Sequence, residues 1–179
     1  ISTIIPDNKL DNLDWNKYYG DIVYIGKIAD RYGVSLIFLG PDTYTYTDFS
    51  LERNWLNIGY IILNLFTILD SEYPIIPLIK GVTLEQVRFC IKIYKDLGFD
   101  VMAFPASTYA KIKKFKAISR IIFEISHANS KSLLLGTSPL TLFKRNIYAD
   151  YSSSLDWFIK AIYSGGNRPF EERIIDSLN

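Results

Sequence analysis

The stretch from Tyr73 to Ser107 constrains the fold more than any other part of the chain. It reads YPIIPLIKG, then VTLEQVRFCIKIYKDLG, then FDVMAFPAS. The two flanking apolar runs are short, which predicts buried strands. The middle segment opens with Thr83 and Gln86, spaced as a capping box, and its apolar residues fall on one helical face. A strand, a one-sided helix and a second buried strand predict a right-handed βαβ unit with parallel strands.

The same alternation continues on both sides of this unit. Apolar spacing and turn residues predict helices over 15–32, 51–69 and 117–130, although Gly20 and Gly26 weaken the first. Further predicted elements are strands over 1–5, 35–39, 132–135 and 147–152, a short helix over 140–145, and helices after 154 and over 170–178. Strands that alternate with helices predict one α/β domain spanning 1–179 with a parallel sheet, open or closed.

Composition excludes several classes of protein. The chain has 20 basic and 19 acidic residues, so its overall charge gives no reason to bind nucleic acid or membrane, although a local patch stays open. One cysteine and one histidine exclude an internal disulfide and a cysteine-based zinc site. Cys90 lies on the apolar helix face, which favours a core residue over a nucleophile. Few Cys, Met and His beside many Ile, Tyr and Lys suit a thermophile.

No membrane span or leader is predicted. The apolar segment 51–69 carries Glu52, Arg53 and three asparagines, and its uncharged remainder is shorter than the roughly 20 residues that a span needs. No charged-then-apolar segment is seen at the start of the sequence, so no secretory signal is predicted. We therefore expect a cytoplasmic protein.

Polar residues that follow the predicted strands form the candidate site. In parallel α/β sheets, chemistry gathers beyond the carboxyl ends of the strands. Asp42, Lys80, Ser107, Asp150 and Ser153 lie at or near such ends. Two carboxylates and an ammonium at one edge would suit attack on a sugar carbon or binding of a base edge. The alternative is that the aspartates cap turns or helices and the lysine is solvated.

One basic cluster stands out in an otherwise balanced chain. Lys111, Lys113, Lys114 and Lys116 occur within six residues. They suit contact with nucleic-acid phosphates, or they form a solvated face. The sequence has neither a GxxxxGK[ST] nor a GxGxxG loop, and neither a CxxC nor an HExxH motif, so no cofactor and no metal are predicted.

Four segments in order resemble the tRNA-guanine transglycosylase superfamily, nearest its DNA-modifying 7-deazaguanine branch. The segments are SLIFLGPD, IIPLIKGVTLEQVRFCIKIYKDLGFD, SLLLGTSP and IYADYSSS, and the resemblance covers about 21–161. It implies a parallel TIM-type (β/α) barrel whose enzymes exchange a nucleobase in a polynucleotide through a covalent aspartate–ribose bond. No cofactor is implied.

The resemblance also implies roles for individual residues. Asp42 would read the base, Arg53 would support the loop after it, and Asp150 would be the best available nucleophile. The aligned nucleophile position itself falls on Ser153. Lys80 stands where the family has glutamine, and would contact base or phosphate.

The chain also departs from the family pattern. Phe104-Pro105 replaces a Gly-Gly turn, the zinc subdomain is absent, and 179 residues are fewer than the ~250 of a full eightfold barrel. We therefore expect an incomplete or reduced barrel that acts on or binds guanine or 7-deazaguanine in DNA or tRNA. The alternatives are a catalytically inactive barrel that binds nucleic acid or protein, and an α/β enzyme of unrelated chemistry. A homo-oligomer or a completing subunit is the expected protein partner.

Overall fold

The computed structural model describes residues 14–153, apart from the side chains of Thr108 and Lys111. The strand predicted over 1–5 and the helices predicted after 153 lie outside the described residues. Helices alternate with short strands, which confirms a mixed α/β fold. In chain order the elements are α1 Trp15–Arg31, β1 Phe38–Leu39, α2 Leu51–Phe66, β2 Ile75–Ile76, α3 Leu84–Asp96, β3 Val101–Pro105, α4 Ser107–Lys111, α5 Phe115–His127, β4 Lys131–Leu135, α6 Pro139–Phe143 and β5 Tyr151–Ser153.

Side-chain caps set the starts of helices α1, α2 and α3. The Asp14 carboxylate accepts hydrogen bonds from two backbone N–H groups at the start of α1, and the Ser50 hydroxyl accepts one at the start of α2. Thr83 and Gln86 form the predicted reciprocal capping box of α3. Gly98 follows α3 with φ +86°, a conformation that favours glycine.

The strands are parallel and lie in chain order. β1 pairs with β2, and β4 pairs with both β3 and β5, in each case parallel. A parallel bridge between Leu78 and Ala103 joins the two sheets, with the Ile79 N–H 2.8 Å from the Ala103 carbonyl oxygen. Every strand therefore points the same way, and all carboxyl ends lie along one edge, which we call the carboxyl rim.

The helices pack on one face of this strand array. Ile22 of α1, Ile58 of α2, Ile91 of α3 and Ile118 of α5 belong to one core together with alternate strand residues such as Phe104. The opposite face carries a separate apolar cluster made only of residues from the strands and their immediate extensions: Leu39, Leu78 and Ala103, with Ile76, Leu133 and Leu135 against them. The alternation of side chains along a strand produces the two faces.

Several elements differ from their predicted bounds. β1 has two residues instead of five, and β5 begins at Tyr151 instead of Ile147. The short helix α4 and the first turn of α5 occupy 107–116, where no helix was predicted before 117. Apolar composition marks where a strand can form, but its length depends on the neighbour with which it pairs.

The five strands of residues 14–153 form a two-stranded and a three-stranded sheet joined by one bridge, and they do not close into a barrel. Across these residues, no helix combines the length and apolar character needed to cross a membrane.

Gly26 has a packing role that the sequence did not reveal. A Cβ atom at this position would overlap the ring of Tyr73, whose hydroxyl donates a 2.7 Å hydrogen bond to Asp30. We expect Gly26→Ala to lower the free energy of unfolding by about 1–3 kcal/mol, since an added methyl forces a packed ring to move. Urea unfolding measures the change.

Gly20 of the same helix is the matched control, because nothing lies within 4 Å of its Cβ position. Gly20→Ala should raise stability by up to about 1 kcal/mol through helix propensity alone. Equal effects of the two substitutions would show that Tyr73 does not constrain Gly26.

Candidate functional site

An ion pair between Asp42 and Lys80 occupies the carboxyl rim. Asp42 follows β1 and Lys80 follows the bridge that extends β2, so parallel pairing brings the two side chains together. The Lys80 ammonium lies 2.6 Å from Oδ1 of Asp42, and the side chains are 14% and 25% exposed. Oδ1 itself is buried, with the ammonium as its partner, while part of the carboxylate stays open to solvent. A polar ligand can therefore reach a hydrogen-bond acceptor and a donor at one place.

Asn54 of α2 fixes the loop that carries Asp42. Its side chain is fully buried and donates to the carbonyls of Tyr46 and Ser50 at 2.9 and 3.2 Å. Its Oδ1 accepts from the Tyr46 N–H at 3.0 Å. One helix turn further, Asn57 donates to the Tyr44 carbonyl at 2.7 Å. The loop conformation therefore depends on two amides of one helix.

Two tyrosine hydroxyls cap backbone carbonyls just below the ion pair. Tyr18 of α1 donates to the Leu39 carbonyl at 3.0 Å, and Tyr94 of α3 donates to the Leu78 carbonyl at 2.9 Å. Burial, and then the negative charge of Asp42, raises the pKa of Tyr18 to about 12. Burial is also the main cause that raises the pKa of Tyr94 well above its usual value. Both hydroxyls are therefore protonated at neutral pH and act as fixed donors.

Cys90 also lies beneath the ion pair. Its thiol donates to the Lys80 carbonyl at 3.3 Å and the residue is fully buried. Burial raises the pKa of the Cys90 thiol to about 11, so it is a neutral thiol at physiological pH. The prediction of a core residue is confirmed, and the structure offers no reason to consider a nucleophile here.

The structure does not bring Asp150 to the carboxyl rim. Asp150 precedes β5, and its carboxylate accepts from the N–H and the hydroxyl of Ser132, at 2.7 and 3.0 Å, near the amino end of β4. The predicted convergence of Asp150 with Asp42 and Lys80 is therefore wrong, because β5 starts later in the chain than its apolar pattern indicated. The Ser132 N–H bond is the main cause that lowers the pKa of Asp150, so its carboxylate is ionised at neutral pH.

Ser107 and Ser153 do lie at the carboxyl rim, toward β4. Ser153 ends β5, and its carbonyl accepts from the Gly136 N–H at 2.7 Å. A Cβ atom on Gly136 would lie 2.7 Å from Cβ of Ser107, so the chain after β4 passes directly over this serine. The resemblance aligns its nucleophile position with Ser153, but a serine hydroxyl is a weak nucleophile without an adjacent base.

The lysine cluster also lies on the carboxyl-rim side of the molecule. Lys113, Lys114 and Lys116 are exposed around the start of α5, and Tyr109 of α4 donates to the Gly81 carbonyl at 3.3 Å, directly after Lys80. The side chain of Lys111 lies outside the described part. Arg145 joins the cluster, since its guanidinium lies 4.9 Å from the centre of the Phe115 ring. Sequence reasoning missed Arg145 because it lies far from the lysines along the chain.

Arg53 lies in the first turn of α2 and contacts the loop after Asp42, not the ion pair. Its guanidinium stacks 4.1 Å from the centre of the Phe49 ring and 6.0 Å from that of Tyr44. This position suits the support of the loop that the resemblance implied. Among residues 14–153, no cluster of three metal-ligating side chains is present.

A comparison with protein-family models finds no match for this chain, and a comparison with curated proteins finds no significant match.

Proposed function

We propose that this chain is a section of a TIM-type (β/α) barrel of the base-exchanging transglycosylase kind, and that its carboxyl rim binds a guanine-like base of a polynucleotide. Two features support the barrel. Among residues 14–153, the strands are parallel and follow chain order, and the helices pack on one face while the other carries the cluster around Leu39, Leu78 and Ala103. Doubly wound sheets carry helices on both faces, whereas a barrel keeps one face for its interior.

The Asp42–Lys80 ion pair is the observation that carries the ligand proposal. The carboxylate is an acceptor for the N–H groups of a guanine edge, and the ammonium is a donor for the guanine carbonyl oxygen. Adenine presents no carbonyl oxygen to the ammonium. A base that satisfies both groups at once therefore resembles guanine or 7-deazaguanine more than adenine.

We propose binding in preference to base exchange. Exchange through a covalent intermediate needs a nucleophile at the sugar carbon. Asp150 is ionised, as a nucleophile must be, but it lies three positions before Ser153, about 10 Å along the chain. Covalent capture of a nucleic acid by the native chain, lost in Asp150→Asn, would instead establish the exchange reaction. We therefore propose that the protein is a cytoplasmic subunit that binds nucleic acid.

Calorimetric titration with a short single-stranded oligonucleotide tests base recognition. A strand with one central guanine should bind at least about tenfold more tightly than the same strand with adenine, since one charge-assisted hydrogen bond contributes roughly 1.5–3 kcal/mol. Asp42→Leu and Lys80→Met should each remove that preference, because neither side chain can form a hydrogen bond. Lys80→Gln should keep part of it, because an amide still donates to the carbonyl oxygen.

The exposed Lys95–Asp100 pair supplies the matched control, with 3.0 Å between charged atoms. Lys95→Met and Asp100→Asn should leave the preference unchanged. Equal affinity of the native chain for guanine and adenine strands would exclude the proposal.

A further inference from the structure

Helix α2 is apolar on its solvent side as well as on its core side. Asn54, Ile58, Ile61 and Leu65 are buried. On the opposite side, Leu56, Tyr60, Leu63 and Phe66 are 65%, 60%, 63% and 50% exposed. We call these four residues the outer stripe. A helix that is apolar all round is normally buried on all sides.

The outer stripe differs from the exposed faces of the neighbouring helices. From Asn54 to Phe66, α2 has no charged residue. The exposed positions of α3 include Arg88 and Lys92, and those of α5 include Lys116 and Arg120. Charged residues on an exposed face keep a helix solvated, so the charge-free stripe indicates an interface.

We propose that the outer stripe is the contact between two copies of this chain, with the two α2 helices packed antiparallel across a two-fold axis. An axis between Gly59 and Tyr60 places Leu56 against Leu63 of the second copy. It also places the Tyr60 ring over Gly59 of the second copy. Within the described residues nothing lies within 4 Å of the Cβ position of Gly59, so this space is available to an incoming ring. Such a contact is self-complementary, as a two-fold interface must be.

Charge complementarity supports the antiparallel arrangement. Arg53 lies in the first turn of α2, and Asp70 is exposed just after the helix ends. Antiparallel packing brings each Arg53 to the carboxyl-terminal turn of the other α2 and to the Asp70 that follows it. Cations are favourable at a helix carboxyl terminus. The net charge of +1 per chain adds no appreciable repulsion between copies.

The area is also sufficient for a specific dimer. Tyr and Phe side chains bury on the order of 150–250 Å² each and Leu side chains somewhat less, so half to two-thirds exposure of the four leaves roughly 400 Å² per copy. Two copies would bury about 800 Å² of apolar surface. Stable interfaces bury about 1,200–2,000 Å² in total, of which somewhat more than half is apolar. The outer stripe therefore supplies the apolar core of an interface at the lower end of this range.

Sedimentation equilibrium of the full chain tests the proposal. The native chain should sediment at micromolar concentration with twice its 20.6 kDa mass. Leu63→Glu and Leu56→Glu should each raise the dimer dissociation constant at least tenfold, with unchanged circular dichroism. Leu140→Glu is the matched control, because Leu140 is 61% exposed on another helix, and it should leave the dimer intact.

Cross-linking tests the antiparallel geometry. Cys90 is fully buried, so a Tyr60→Cys substitution adds an accessible thiol close to the two-fold axis. A short bifunctional maleimide should couple two Tyr60→Cys copies and fail to couple two Leu140→Cys copies. A native chain that is monomeric throughout, or a dimer that Leu63→Glu does not weaken, would overturn the proposal. If the native chain is a monomer and Leu63→Glu lowers its melting temperature, another segment of this chain packs on the outer stripe. That result would also overturn the proposal.

Discussion

Replacing Asn54 with alanine should destabilise the protein by about 3 kcal/mol. The side chain is fully buried and makes three hydrogen bonds to the backbone of the loop that carries Asp42. Truncation leaves the Tyr46 N–H without a partner and leaves the Tyr46 carbonyl with only the Phe49 N–H. An unsatisfied buried group costs about 1–3 kcal/mol. A small cavity adds to the loss. Equilibrium unfolding in urea gives the difference through the midpoint and slope.

Asn64 of the same helix is the matched control. It is half-buried and its side chain makes no hydrogen bond with the described residues, so Asn64→Ala should change stability by about 0.5 kcal/mol or less. A loss in Asn54→Ala no greater than that in Asn64→Ala would contradict the role assigned to the buried amide.

Asn54→Ala should also affect the carboxyl rim. Loss of the Asn54 bonds releases the loop between β1 and α2, and Asp42 then no longer faces Lys80 in one conformation. Preorganisation of polar groups contributes to ligand affinity, so base binding should weaken in Asn54→Ala even where the protein remains folded. Stability and binding therefore depend on one residue that touches neither the ligand nor the ion pair.

Much of the fold could be predicted from local sequence patterns. The start of α3 follows from Thr83 and Gln86, and its end from Gly98, because caps act on residues close in sequence. Asn54 shows the limit of such reasoning. The sequence marked it as a polar residue that argues against a membrane span, but its hydrogen-bond partners lie in a loop whose course no local pattern specifies.

The candidate site could likewise be predicted only in part from the sequence. Asp42 and Lys80 were predicted to meet because each follows a parallel strand, and they form an ion pair. Asp150 was predicted beside them because the apolar pattern extended its strand from 147 to 152. The strand pairs only from Tyr151, which leaves Asp150 at the amino end beside Ser132. A shift of a few residues in a short strand moves a side chain from one end of the sheet to the other.

Neutralising the lysine cluster should produce the largest loss of nucleic-acid affinity. Lys113, Lys114 and Lys116 are exposed on the same side of the molecule as the Asp42–Lys80 pair. If each contacts a phosphate, replacing all three with glutamine should reduce the slope of log affinity against log salt by about 2 for a single strand. At ~0.1 M salt the affinity should fall about 100-fold. Fluorescence anisotropy over a salt series measures both quantities.

A control variant with the same change in charge distinguishes phosphate contacts of the lysines from attraction by the net charge of the protein. Lys27, Arg31 and Lys92 are also exposed, and they lie on the outer helices instead of at the start of α5. Their replacement by glutamine removes the same three charges, but it should change the slope by much less than one because no counterion is released from a phosphate contact there. Equal slopes for the two triple variants would mean that net charge alone attracts the nucleic acid. The guanine preference should survive in both variants, because Asp42 and Lys80 read the base while the lysines contact the backbone.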